Sequence, residues 1–266
     1  MGNLKCDTKY PIMLVHGVGF RDDLTLFNYW GEIPNVLKKQ GAVVFLSGHN
    51  ACAAHSDNAL LLKNQILKIL KETGSEKINI IAHSKGGIES RYMISKLQMA
   101  SKVASLTTLA SPHRGSTMAK IILRFISAKP LNTIADIVAQ MSGDENPDCA
   151  KACLELTPGY MEKFNKEVLD VPDVYYQSYG GIIGKSYPNK LWRKFFSVLY
   201  KAEGDNDGMV SLESCQWGKF KGIVKQAKSP LVSHADIVGL TVLSGGSFNA
   251  PSFFTSLVQN IKAQGF

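Results

Sequence analysis

Ser84 stands in the run Ala82-His83-Ser84-Lys85-Gly86-Gly87, directly after Ile78-Asn79-Ile80-Ile81 and directly before a stretch of helical period that passes Tyr92 and reaches Leu97. A strand that ends in a sharp serine-centred turn and continues as a helix exposes the hydroxyl at the carboxyl edge of a sheet, ready to attack an acyl carbon. The turn needs small residues two places either side, because it brings neighbouring backbones close. Ala82 and Gly86 hold those places, the first with alanine where the usual pattern has glycine. Serine is a weak nucleophile at its own pKa and needs a base within hydrogen-bond reach, nearly always a histidine that a carboxylate orients. Of the six histidines only His113 and His234 follow Ser84. A strand-turn-helix serine site runs serine, acid, histidine along the chain, and His113 comes straight after the next apolar run with no room for an acid between. His234, in Val232-Ser233-His234-Ala235-Asp236, is the expected base.

The acid should lie in a turn beyond Ser84 and before His234. Gly204-Asp205-Asn206-Asp207-Gly208-Met209-Val210 offers Asp207, which is preferred, and Asp205 as the alternative. A tetrahedral oxyanion also needs two preorganised backbone donors, one after the nucleophile and one from the loop after an early strand. Those are the amides of Lys85 and of Val18, the latter in His16-Gly17-Val18-Gly19-Phe20. His16 and His83 read as loop scaffolding, His49 and His55 as loop or surface groups.

These residues need a scaffold that holds strand ends together, and apolar runs of strand length do alternate with helical stretches, as in a parallel sheet wrapped by helices. Strands are expected at Ile12 to Val15, Val43 to Leu46, Ile78 to Ala82, Val103 to Leu109 and Val174 to Tyr179. A helix capped at Ser56 should carry Leu62, Ile66, Ile69 and Leu70 and close at Gly74; others are expected near 154–168 and from Pro251. Between the fourth strand and these later helices, 116–142 holds two apolar stripes: Met118, Ile121, Ile122, Phe125 and Ile126, then Leu131, Ile134, Val138 and Met141, with Pro130 between them. The turn from Gly143 to Pro147 ends the pair.

The chain has 266 residues, 45% hydrophobic and 20% charged, which excludes a disordered, collagenous or coiled-coil protein. No repeat or linker divides it, so one α/β domain over 1–266 is expected, with its core complete without disulfides or metal. Thirty basic against twenty-two acidic residues leave a net charge of +8, which permits anionic partners and names none. No apolar run approaches the roughly 18–20 residues that cross a bilayer, and no signal segment stands in the first fifteen residues, which leaves secretion open. Cys149 and Cys153 are four apart at a helix start, where Cβ atoms lie about 5–6 Å apart, too far for a disulfide. Free thiols are favoured there, and Cys6, Cys52 and Cys215 read as structural.

The chain resembles the bacterial triacylglycerol lipases of the Pseudomonas, Proteus and Bacillus kinds within the α/β-hydrolase superfamily. The resemblance rests on Tyr10 to Gly17, Tyr29-Trp30-Gly31, Ile80 to Gly87, Leu109 to Ser116, Asn206 to Val210 and the flank of His234. It implies an α/β-hydrolase fold, a triad of Ser84, Asp207 and His234, ester or acylglycerol substrates met at a lipid-water interface, and secretion; neither nucleic acid nor a membrane span is expected. The alanine at the elbow resembles the Bacillus kind. In such lipases the segment of about 116–150 is a lid, and the two amphipathic helices would cover Ser84 when closed; the plainer alternative is two core helices that never move. Pseudomonas-like members hold a structural calcium near the catalytic histidine. Asp236 matches one ligand, but Leu240 stands where a glutamine would be, and one carboxylate is too few for a cation that wants six to eight oxygens. No cofactor or metal is expected, calcium bound through backbone carbonyls being the exception left open, and the His-rich zinc insertion of the Bacillus kind has no counterpart after His55. The basic stretch from Lys185 to Lys228 suits an anionic interface less well than it suits a solvated face. Two other readings stay open: an esterase or thioesterase for soluble short-chain substrates, and a non-catalytic binding protein on the same fold.

Overall fold

The computed structural model describes residues 5–19, 21, 22, 29–127, 131–141, 143–145, 147–225, 231–240, 245 and 247–266. Phe20, Pro130, Asn146 and Lys228, and the side chains of Ile134 and Met141, lie outside the described residues.

Six parallel strands, β1 (Ile12–Val15), β2 (Val44–Leu46), β3 (Ile78–His83), β4 (Val103–Leu109), β5 (Tyr175–Gly180) and β6 (Lys219–Ile223), form one sheet in the order β2-β1-β3-β4-β5-β6. Every residue of β1, β3 and β4 is buried, because a parallel sheet is covered on both faces and its central strands read as apolar runs rather than alternations. Alternate side chains feed opposite cores. Ile12, Leu14 and Ile81 pack with α1 (Ile33–Lys39) and α9 (Ala250–Ala263), while Met13, Val15, Ile80 and Ala82 pack with α2 (His55–Thr73) and α3 (Lys85–Lys96). The polar residues inside the strands satisfy one another: Ser105 Oγ donates to Asn79 Oδ1 at 2.7 Å, and Gln177 Nε2 to Thr107 Oγ1 at 2.8 Å.

The expected elements are present, with differences of detail at their ends. The second strand starts at Val44, leaving Val43 half exposed at the sheet edge. Helix α2 begins at His55, so Ser56 is not its cap; Ala54 precedes it without a side-chain cap, and the His55 amide donates instead to the Glu155 carboxylate at 2.7 Å. Gly74, at φ 67°, closes that helix as expected. The segment after β4 folds into α4 (Thr117–Ile126), α5 (Leu131–Met141) and α6 (Cys149–Leu154), followed by α7 (Pro158–Glu167). Three elements carry no clear signal in the sequence: α1, β6 and α8 (Lys190–Glu203). In α8, Trp192, Phe196 and Leu199 do form a buried stripe, but four Lys and Arg on the same fourteen residues mask it. Among the described residues no helix is long and apolar enough to cross a membrane.

Candidate active site

The chain runs from β1 to β2 on one side and then crosses to β3 on the other, so strand order reverses between β1 and β3. The carboxyl ends at such a reversal splay apart and leave a crevice. His16, Gly17 and Val18 leave β1 on one wall of this crevice, and Ser84 leaves β3 on the other.

Ser84 sits at φ 55°, ψ −129°, a conformation a non-glycine residue adopts only when its surroundings hold it there. Its amide donates to Leu109 O at 3.0 Å and its carbonyl accepts from the Gly87 amide at 3.1 Å, which ties the turn to β4 and to α3. The turn also needs Gly86: a Cβ there would stand 2.3 Å from the His16 carbonyl oxygen, a backbone atom that cannot swing away.

His234 Nε2 lies 3.0 Å from Ser84 Oγ and His234 Nδ1 lies 2.8 Å from Asp207 Oδ2. A carboxylate only accepts, so the proton is on Nδ1 and the Nε2 lone pair faces the serine hydroxyl. The other oxygen, Asp207 Oδ1, accepts from the amides of Met209 and Val210 at 2.9 and 2.8 Å, and the His234 amide donates to Asp207 O at 3.1 Å. Two successive amides therefore fix the carboxylate before it meets the ring. The structure brings Ser84, His234 and Asp207 into one hydrogen-bonded line and leaves Asp205 exposed. Val18 borders the cavity over Ser84, and Lys85 opens α3, where a first-turn amide has no partner within the helix. Among the described residues neither the Val18 nor the Lys85 amide donates to a protein acceptor.

The remaining histidines are more deeply placed than their loop positions suggest. His49 and His55, expected as loop or surface groups, are both buried. His49 Nε2 lies 3.0 Å from the Glu89 carboxylate and its ring stacks on His16 at 3.8 Å between centroids. Glu89 also accepts from Asn58 at 2.6 Å and is ion-paired with the buried ammonium of Lys85. His83 Nδ1 is 2.6 Å from the Tyr29 hydroxyl, which in turn accepts the Gly17 amide at 2.9 Å. Tyr29 thus ties the loop carrying Val18 to the residue before Ser84, a link the sequence signals only through the Tyr29-Trp30-Gly31 motif. His113 is buried away from Ser84, with Nε2 3.0 Å from Thr108 Oγ1.

Burial holds the rings of His16, His55, His83 and His113 neutral. It pushes His16 down to about 4, with His49 adding to the effect, and His55 down to about 3, with Lys85 adding. Burial likewise keeps His83 and His113 well below the usual imidazole range, helped by His234 and Arg91 respectively. The unfolded chain takes up these protons near pH 6.5 while the folded chain refuses them. The stability they confer is therefore complete above about pH 6.5 and is lost as pH falls toward the folded values. Each ring costs about 1.4 kcal/mol per pH unit in that window, so four cost about 8 kcal/mol at pH 5, within the range of a whole domain's stability. The thermal midpoint is expected to drop by about 15–30 °C between pH 7.5 and pH 5; a midpoint that stays level over that range contradicts this account.

A cavity of about 290 Å³ opens beside Ser84 and His234. Its walls are mostly carbon: Ala119 and Ile122 from α4, Trp192 and Phe195 from α8, and Leu156 after α6. Here the expectation for 116–142 is corrected in part. Helix α4 lines the cavity, but α5 supplies none of the described lining residues, and Leu131 and Val138, expected to face Ser84, are 49% and 57% exposed. Helix α5 packs beside α4 and α6 instead of over the cavity, and α8 takes the place expected for it. Both ends of the segment are pinned. Ser116 Oγ donates to Met209 O at 2.5 Å, and the buried Asp144 carboxylate accepts from the amides of Ala51 and Cys52 at 2.8 and 2.7 Å.

All five cysteines are free. The thiol beside Cys149 is that of Cys52, which a hydrogen bond from Cys149 holds below the usual thiol range against the effect of burial. Of the residues raised for calcium, Asp236 is engaged by protein donors. Asp236 is fully buried, and its Oδ2 accepts from the Tyr187 hydroxyl at 2.5 Å and the Ser233 amide at 2.9 Å. That carboxylate braces the loop before His234 from within the protein.

A model of the family described as "Putative serine esterase (DUF676)" matches residues 10–143, half of the chain. The chain is 28% identical over 240 residues to triacylglycerol lipase 2 of Saccharomyces cerevisiae, a match covering 88% of this chain and 66% of that protein. It is 33% identical over 136 residues to a triacylglycerol lipase of Pseudarthrobacter phenanthrenivorans, covering 50% of this chain and 42% of the other. With a triacylglycerol lipase of Pseudomonas fragi the identity is 28% over 250 residues, covering 80% and 84%. The chain thus spans less than two thirds of the length of the first two relatives. Among solved structures, a Bacillus licheniformis lipase in mature form superposes with a TM-score of 0.67 at 22% identity, covering 94% of this chain and 92% of the other. A metagenomic carboxyl esterase superposes at 0.74 with 17% identity, covering 96% and 76%. The fold is that of the α/β-hydrolases.

Proposed function

Since the chain belongs to the putative serine esterase family, we propose that it hydrolyses carboxylic esters through an acyl-enzyme on Ser84, and that its substrates are acylglycerols. The observation that carries this reading is the Asp207-His234-Ser84 line at the mouth of an apolar cavity. Ser84 Oγ attacks the ester carbonyl while His234 Nε2 takes its proton. The imidazolium that forms is stabilised by Asp207, and the developing oxyanion accepts from the Val18 and Lys85 amides. His234 then protonates the leaving alcohol. Water, activated by the same ring, releases the acid and restores the serine. The reaction needs no cofactor. The carbon-lined cavity suits an acyl chain, and the relatives named as triacylglycerol lipases support glycerol esters as the substrate class. Helices α4 and α8 act as the cap of this site.

A fluorophosphonate probe is expected to label the wild-type protein at one serine, and Ser84→Ala to abolish the labelling. An unlabelled wild type would overturn the enzyme reading in favour of a binding protein. Rates on short soluble esters and on long triglycerides, each below and above the solubility limit, test the substrate class. A response that stays flat across that limit points to a soluble-ester esterase.

A further inference from the structure

Three of the five free thiols gather where α6 meets the loop that enters α2: Cys52 in that loop, and Cys149 and Cys153 one turn apart on α6. Backbone bonds hold the two segments together. The Asp148 amide donates to Cys52 O at 2.6 Å, and the Asp144 carboxylate accepts the Cys52 amide at 2.7 Å. The backbones on either side of the Cys52 and Cys149 thiols are thus already apposed, as a bridge requires, since Cα atoms more than about 7 Å apart cannot be joined without moving the chain. The side chains meet as well, the Cys149 thiol donating a hydrogen bond to the Cys52 sulfur. The pair is asymmetric. Cys149 is buried and its amide donates to the Asp136 carboxylate at 2.9 Å, whereas Cys52 is partly exposed. The hydrogen bond from Cys149 holds the Cys52 thiol below the usual range against burial, with the Lys85 ammonium adding to the effect. A half-exposed thiol of that kind is a nucleophile, whereas a buried one in apolar surroundings is inert. Cys6 and Cys215 are of the inert kind, both pushed up by burial. Cys153 lines the cavity beside Ser84, and its spacing on the helix keeps its Cβ about 5–6 Å from that of Cys149, too far for a bridge.

We infer that Cys52 and Cys149 form a reversible disulfide when the protein meets a hydroperoxide, and that this bridge clasps α6 to the entrance of α2. The inference goes beyond the ester-hydrolase reading and does not depend on it. With hydrogen peroxide, the Cys52 thiolate attacks one peroxide oxygen and the O–O bond breaks. Cys52 becomes a sulfenic acid, and the hydroxide released takes up the proton that Cys52 had shed. The Cys149 sulfur then attacks the Cys52 sulfur: the S–S bond forms, the S–O bond breaks, and the hydroxyl leaves as water with the Cys149 proton. The two thiols lose two electrons and the peroxide gains them, ending as two molecules of water. The bridge closes a loop of about a hundred residues, a length at which a cross-link strongly restricts the unfolded chain. In the folded chain the two segments are already tied, so little native rearrangement offsets that gain. The clasp reaches the cavity through Cys153 on the same helix and Leu156 just after it, both of which line the wall.

The test treats the folded wild-type chain with a small excess of hydrogen peroxide, blocks the remaining thiols with iodoacetamide, and maps the unreduced tryptic peptides by mass. A linked pair containing Cys52 and Cys149 is expected, two hydrogens lighter than its separate peptides and lost after dithiothreitol. Scanning calorimetry should place the thermal midpoint of the oxidised chain about 5–15 °C above that of the reduced chain. Cys52→Ser and Cys149→Ser should each abolish that rise, and Cys153→Ser should keep it. The mapping needs no variant, so it decides the matter even where a serine variant folds poorly. A link from Cys153 to either of the other two, oxidation that ends at sulfinic acid without a link, or an oxidised midpoint no higher than the reduced one overturns the clasp. A rise that persists in Cys52→Ser overturns it too. Ester turnover is not part of the readout, so failure of the clasp and failure of the esterase reading are distinguishable.

Discussion

Asp207→Asn is expected to lower kcat on a soluble ester by about 10⁴-fold, while Asp205→Asn stays within about twofold of wild type. The reason lies in which atom faces the ring. A carboxamide can still accept the Met209 and Val210 amides through Oδ1, so the turn should keep its shape and the thermal midpoint should move little. Its NH₂ then meets His234 Nδ1, which must become the acceptor, and the ring proton shifts to Nε2, facing Ser84 Oγ. The base has lost the lone pair it needs. Steady-state kinetics and the rate of fluorophosphonate labelling should fall together. Comparable rates in both variants would remove Asp207 as the orienting acid.

The second large effect concerns stability. Glu89→Ala is expected to cost about 3–5 kcal/mol, seen as a fall of about 6–20 °C in the thermal midpoint. Glu89 is completely buried and is the counter-charge for the equally buried Lys85 ammonium. Burial alone would raise its pKa, but Lys85 and His49 override that and hold it far below the usual carboxylate range. Alanine leaves the ammonium without a partner in a low-dielectric site. The double variant Lys85→Met, Glu89→Leu removes both charges and keeps the volume, so it should recover most of the loss. It should also retain activity, because the oxyanion role assigned to residue 85 belongs to its amide. A double variant as unstable as the single one would show that the charges are not the source of the cost.

The hydrogen-bonded line of Asp207, His234 and Ser84 was largely legible in the sequence, because chain order and a strand-turn-helix pattern are local or topological properties. Choosing between Asp205 and Asp207 was a matter of geometry two residues apart, and the structure resolves it through the Met209 and Val210 amides that capture one side chain. What the sequence concealed were partners distant along the chain. His49 and His55 read as loop groups because Glu89 and Glu155, forty and one hundred residues away, are what permit them to be buried. Strand β6, Lys-Phe-Lys-Gly-Ile, lies at the sheet edge and lacks the apolar run of a central strand. In α8 the polarity of one face hid the cavity-lining function of the other. The length of 116–142 was legible, but which of its two helices lines the cavity depends on packing against α6 and α8, which no local pattern encodes.

Ser116 and Asp144 together behave as the two buckles of a strap. Each buckle ties the segment to a part of the chain distant in sequence, Ser116 to Met209 and Asp144 to Ala51 and Cys52. Ala119 lies near one buckle, and Leu156 lies beyond the other. Two of the cavity's carbon walls, Ala119 and Leu156, therefore stand at the fastenings, and Ile122 belongs to the span between them. A substitution in that span and one at a fastening act on different walls of the same cavity.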